Sequence, residues 1–174
     1  MDGKMTTKQV CINGLFIALV CLSTMVLQVP VPATSGYIHL GDSVILIVSV
    51  FFGWKYGMIA GGVGSGLADL LSGYPHWMVF TLIIKGLMGL LIGKVSDFNE
   101  GNRNIFSGRN IIASILGVAW MVVGYLIGGT ILKGSFLVAL TSVPSNIIQG
   151  GGGFIIYLVI GFALEKAKVY NLIK

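Results

Sequence analysis

Apolar residues in this chain run in long, nearly unbroken blocks separated by short polar punctuation. Five blocks are long enough to be read as membrane-crossing helices: Val10–Val29, Tyr56–Leu71, Trp77–Ile92, Ile111–Leu132 and Ser145–Leu164. A sixth, Leu40–Phe52, is shorter, and it opens just after His39 with Asp42 in its first turn. It is either a helix of its own or the first half of a long helix continuing into Tyr56–Leu71. Between the two lies Gly53-Trp54-Lys55-Tyr56-Gly57, which reads as a turn with interfacial aromatics.

Charge placement decides the matter. With six spans, Lys4, Lys8, Lys55, Lys94, Arg103, Arg109, Lys166, Lys168 and Lys174 share one side, only Lys133 lies opposite, and Lys85 lies within a span. With five spans, Lys94, Arg103 and Arg109 change sides and Lys55 is buried. Basic residues concentrate on the cytoplasmic side, so the chain is expected to be an all-α six-transmembrane-helix bundle with both termini cytoplasmic. Pro30–Gly41, Ser72–His76 and Lys133–Pro144 are then external. Gly53–Lys55 and the polar Lys94–Arg109 linker are cytoplasmic.

Composition agrees. The 174 residues are 55% hydrophobic and 10% charged, against about a quarter charged in soluble domains. The mean hydropathy is +0.93. Such a chain needs lipid as its solvent, and one integral membrane domain over 1–174 is expected. The first apolar block has no small-residue cleavage site and is read as retained. Cys11 and Cys21 would lie roughly 15 Å apart on one helix, too far for a disulfide, and both are read as buried apolar residues.

The polar residues inside the apolar blocks carry the candidate chemistry. Lys85 lies roughly 12 Å below Trp77 at helical rise. An ammonium at that depth needs a partner, and Asp42 and Asp69 are the acids on that side. Two readings stand: a structural ion pair, or a lysine facing a cavity that binds a polar substrate. Asn146 and Gln149 are three apart and share a helical face. They serve either helix–helix hydrogen bonds or a ligand, with the glycines from Gly150 to Gly153 allowing close approach. Trp120 and Tyr125 face lipid, core or ligand.

Other patterns exclude functions. Gly62-Val63-Gly64-Ser65-Gly66 departs from a dinucleotide loop and lies in a span. With Gly57/Gly61, Gly89/Gly93 and Gly124/Gly128 it belongs to a set of small-xxx-small pairs suited to close helix packing. Gly14 and Ala18 form another, for packing or for docking a partner. There is no phosphate-loop lysine motif, no metal-ligand spacing and no hydrolase triad signature. No metal or nucleic acid is expected, and an enzyme is disfavoured. A membrane scaffold in which every polar residue is structural is the alternative to a carrier.

The chain resembles the substrate-binding S component of energy-coupling factor (ECF) vitamin transporters. The likeness rests on size, six spans, Ile38-His39-Leu40-Gly41-Asp42, the glycine-rich segment ending Gly66-Leu67-Ala68-Asp69-Leu70-Leu71-Ser72-Gly73-Tyr74, and Ile83-Ile84-Lys85-Gly86-Leu87. It is nearest the riboflavin-type branch that includes hydroxymethylpyrimidine and pyridoxine carriers. The resemblance implies capture of a small ring vitamin at the external face of the bacterial cytoplasmic membrane, beneath a lid formed by the first loop. It implies delivery inward with a membrane T component and two cytoplasmic ATPases. ATP would be hydrolysed by those partners, with no cofactor on this chain. Candidate substrate-binding residues are His39, Asp42, Lys85, Trp120, Tyr125, Asn146 and Gln149. Gly14 and Ala18 would dock the T component. A pyridoxine phenolate and pyridinium would suit a lysine and a carboxylate, a neutral aminopyrimidine would suit the amides, charge complementarity gives pyridoxine a slight edge, and riboflavin is a larger alternative.

Overall fold

The computed structural model describes residues 6–31 and 36–173. Lys4, Lys174 and the middle of the Pro30–Gly41 connection lie outside the described residues. Thr6 starts the first helix, α1 (Thr7–Val26), with a reciprocal capping box to Gln9. A two-stranded antiparallel hairpin follows, β1 (Gln28–Val31) and β2 (Gly36–His39), with Gln28 opposite His39. Then come α2 (Gly41–Phe52), α3 (Trp54–Leu71), α4 (Pro75–Val95), α5 (Gly108–Lys133), the single-turn α6 (Phe136–Leu140) and α7 (Val143–Lys166).

The separate short helix is there. Only Gly53 breaks the chain, at φ +91°, a backbone conformation that L side chains rarely adopt. The expected five-residue turn is therefore corrected: Trp54, Lys55, Tyr56 and Gly57 already belong to α3. Val29, placed in the first span by its hydropathy, belongs instead to the hairpin. Four segments are long and apolar enough to cross a membrane: Thr7–Val26, Pro75–Glu100, Gly108–Lys133 and Phe136–Lys166. The α2 helix has 12 residues, about 18 Å at helical rise. The α3 helix is diluted by five glycines and carries Lys55 and Asp69.

These two weaker helices form the centre of the bundle. Ile45, Leu46 and Val50 of α2 and Ala60 of α3 are fully buried, against Val20 of α1, Met88 of α4 and Tyr157 of α7. Glycine makes this approach possible. A Cβ on Gly62 would lie 2.8 Å from the Leu82 carbonyl oxygen, one on Gly64 would lie 2.8 Å from that of Ile17, and one on Gly89 would collide with the Gly57 carbonyl. The glycine pairs of α3, α4 and α5 are thus packing surfaces. Gly14 differs. A Cβ there would meet nothing within 4 Å, and with Ala18 it lies on the exposed face of α1. Cys21 is buried, but Cys11 is exposed, and both are free. The expectation that Cys11 is buried fails because it falls on this outward face.

At one end of the bundle, the linker end, the α4–α5 connection folds back as a plug. Phe98 is fully buried, 4.5 Å from the Phe51 ring, and the Ile105 amide donates to Glu165 at 2.9 Å. At the other, the hairpin end, β1 and β2 lie over a cleft walled by α3, α4, α5 and α7.

Candidate functional site

At the hairpin end the helices leave a narrow cleft with a cavity volume of about 50 Å³, opening into about 510 Å³ of empty space when its mouth is included. Each side chain in it is placed by a simple rule. Tyr37 and His39 are two apart on β2, so they share one face of the strand, with ring centroids 5.5 Å apart. Asp69 ends α3. Trp77 and Thr81 come from successive turns of α4, and Tyr125 from α5. The start of α7 supplies Ser142, Ser145, Asn146 and Gln149. Trp77 and Tyr125 meet edge to face at 5.7 Å. The Tyr125 and Thr81 hydroxyls lie 3.1 Å apart.

Beneath this cleft lies a closed polar network. Lys85 and Asp42, both fully buried, form an ion pair through Asp42 Oδ1. Gln149 donates its amide to Asp42 Oδ2 at 2.9 Å and accepts from the His39 backbone N–H at 3.2 Å. Lys85 Nζ also lies 5.3 Å from the Tyr125 ring centroid. One chain of contacts thereby joins the hairpin to α2, α4, α5 and α7. Both Asp42 oxygens are occupied, as a buried charge requires.

His39 is 7% exposed, and its Nδ1 accepts from the Gly41 N–H at 3.0 Å. Burial pushes its imidazole down to about 4, with nearby Lys85 acting the same way and Asp42 opposing. The ring is therefore neutral at physiological pH, with its proton on Nε2.

The structure brings His39, Tyr125, Asn146 and Gln149 to the cleft wall. Asp42 and Lys85 stand behind that wall, committed to each other; of the two acids open to Lys85 in the sequence, it takes Asp42. Trp120 lies away from the cleft, where its indole N–H donates to the Ile84 carbonyl at 3.0 Å. The glycines after Gln149 are not in the wall either. A Cβ on Gly150 would run into Val118 of α5, and one on Gly153 would lie 3.0 Å from Asp42 Cβ, so these two seat α7 against α5 and α2.

Tyr37 and Thr81 were not singled out from the sequence. Each had a signal: Tyr37 alternates with His39 along a strand, and Thr81 lies one helical turn before Lys85. Among the described residues no cluster of His, Cys, Asp or Glu could hold a metal ion.

Comparison with known proteins gives the site a context. The family described as ECF-type riboflavin transporter, S component, matches residues 4–166. A protein of Pyrococcus woesei, described as uncharacterized, is 41% identical over 153 residues, covering 84% of this chain and 99% of the relative. The thiamine precursor transporter HmpT of Lactococcus lactis is 29% identical over 172 residues, 98% of this chain and 95% of that protein. A UPF0397 protein of Streptococcus pneumoniae is 30% identical over 112 residues, 64% of this chain and 60% of that protein.

Proposed function

The chain belongs to the ECF-type riboflavin transporter S-component family, a family of multi-pass membrane transport subunits, and on that premise we propose that it captures hydroxymethylpyrimidine, the pyrimidine precursor of thiamine, for ATP-driven import. In this reading α1 to α5 and α7 traverse the cell membrane with both termini in the cytoplasm. The linker end, which carries Lys94, Arg103 and Arg109, faces inward by the positive-inside rule. The hairpin end faces out, with the hairpin as the lid over the cleft.

The observation that carries the substrate choice is the absence of a cation in the cleft wall among the described residues. Lys85 is spent on Asp42, and His39 is neutral. What remains is aromatic rings, hydroxyls, the amides of Asn146 and Gln149 and one carboxylate, Asp69. A pyridoxine phenolate would enter without a counter-charge. A neutral aminopyrimidine finds hydrogen-bond partners and flat apolar faces. The name of HmpT, a thiamine precursor transporter, points the same way. A panel of hydroxymethylpyrimidine, pyridoxine, thiamine and riboflavin titrated into the purified protein tests this. Saturable micromolar binding of hydroxymethylpyrimidine ahead of the others is expected, and binding of none of them would sink the carrier reading.

Inward delivery requires a T component and two ATPases. The open Gly14/Ala18 face of α1 is the proposed docking surface, because small side chains allow close helix approach. Gly14→Leu should leave vitamin binding intact and abolish copurification with the T component. A complex that survives it would remove this assignment.

A further inference from the structure

Two buried carboxylates lie at the hairpin end, and they meet different fates. Asp42 has a donor on each oxygen. Asp69, 5% exposed, lines the cleft with only Oδ1 engaged, accepting from the Tyr37 hydroxyl at 2.7 Å. Its Oδ2 is buried without a hydrogen bond. The Thr81 hydroxyl is near enough to act on this carboxylate as a hydrogen-bond donor, but within bonding distance it meets only the Tyr125 hydroxyl, so no donor reaches Oδ2 at bonding distance. A buried carboxylate oxygen without a donor is unfavourable. The usual remedy is a cation, and the lysine of this site already serves Asp42.

We propose that Asp69 is the specificity-determining residue of the cleft, taking a hydrogen of the ligand's exocyclic amine on Oδ2. This rests on the carrier reading above and assigns the polar edge of the ligand. Tyr37 orients the carboxylate and occupies Oδ1, so one oxygen is reserved for the ligand. Trp77 and Tyr125 in the same wall present aromatic surface to a planar ring. A flat ring bearing an amine satisfies both demands. A ring edge bearing only acceptors brings two lone-pair groups together and is rejected. Because Tyr37 belongs to the hairpin and Asp69 to α3, the Asp69 carboxylate is fully oriented only when the hairpin is seated.

The test is a calorimetric comparison of hydroxymethylpyrimidine with its analogue lacking the amine, on the full chain in detergent. The unmodified protein should prefer the amine-bearing ligand by about 10- to 100-fold, the range for a hydrogen bond to a buried charged group. Asp69→Asn should narrow that gap to within about 3-fold. Tyr37→Phe, which leaves the carboxylate present but unoriented, should narrow it by about 3- to 5-fold and serves if the Asn variant does not fold. Equal affinity of the unmodified protein for the two ligands overturns the Asp69 assignment and leaves the carrier reading standing. So does a preference that persists unchanged in the variants. Binding of neither ligand, nor of any vitamin in the panel, overturns both.

Discussion

At the linker end, the buried Asn110 side chain spends both of its ends on the protein. Its oxygen accepts from the Ser96 hydroxyl at 2.6 Å and the Asp97 amide at 3.2 Å, and its nitrogen donates to the Asn104 carbonyl at 2.8 Å. At the hairpin end, Asn146 lines the cleft and makes no side-chain hydrogen bond among the described residues, and Asp69 leaves one oxygen unpaired. The same residue type, near the start of a helix in both places, is fully buried and consumed by the protein at one end and half-buried in the cleft wall at the other. Polar groups satisfied within the chain specify a fold. Polar groups left unpaired in an aromatic-lined cleft are available to a ligand.

That contrast has measurable consequences. The largest belongs to the network beneath the cleft. Lys85→Met strands the Asp42 carboxylate and should cost about 3–5 kcal/mol in thermal or chemical unfolding. The Lys85→Met/Asp42→Asn double variant should recover most of that loss. If the single variant is as stable as the unmodified protein, the ion pair is not what joins α2 to α4. Next, Asn110→Ala should lower stability by about 2–3 kcal/mol, through several lost hydrogen bonds, without changing vitamin affinity. A matching fall in affinity would mean that the two ends are not independent.

Asn146→Ala should do the reverse. Affinity for hydroxymethylpyrimidine should drop about tenfold while stability stays within about 0.5 kcal/mol, as calorimetry and unfolding together would record. The smallest effect is in pH. His39 has a folded value near 4, below its unfolded value near 6.5. It therefore contributes stability that is full above 6.5 and falls away as pH drops toward 4. The loss should reach about 1 kcal/mol near pH 5.5, and His39→Asn should remove that slope. A slope unchanged by the substitution would assign it to another group.

Much of the fold was legible because hydropathy and glycine act locally. The break at Gly53 and the helix-packing glycines could be read from the chain. So could the need of Lys85 for an acid. Which acid it takes depends on where α2 crosses α4, a fact no local pattern carries. The hairpin escaped notice because Gln28-Val29-Pro30-Val31 has the hydropathy of a helix tail. It becomes a strand only by pairing with the segment from Gly36 to His39. Trp120 was a reasonable aromatic candidate, but its side-chain direction is set by the path of α5. The reserve at Asp69 was invisible for a different reason: an unpaired oxygen is known only once every neighbour has been placed.

The shortness of α2 has one more consequence. Its 12 residues span about 18 Å, well under the roughly 30 Å of a hydrocarbon core. Nine of the 12 are buried among other helices, so neighbouring protein, not lipid, surrounds most of this helix. The bilayer is in contact chiefly with the longer helices around it. A thicker or thinner membrane therefore strains the rim of the protein through hydrophobic mismatch and leaves the Asp42 end of α2, with the polar network beneath the cleft, at a constant depth inside its own protein solvent.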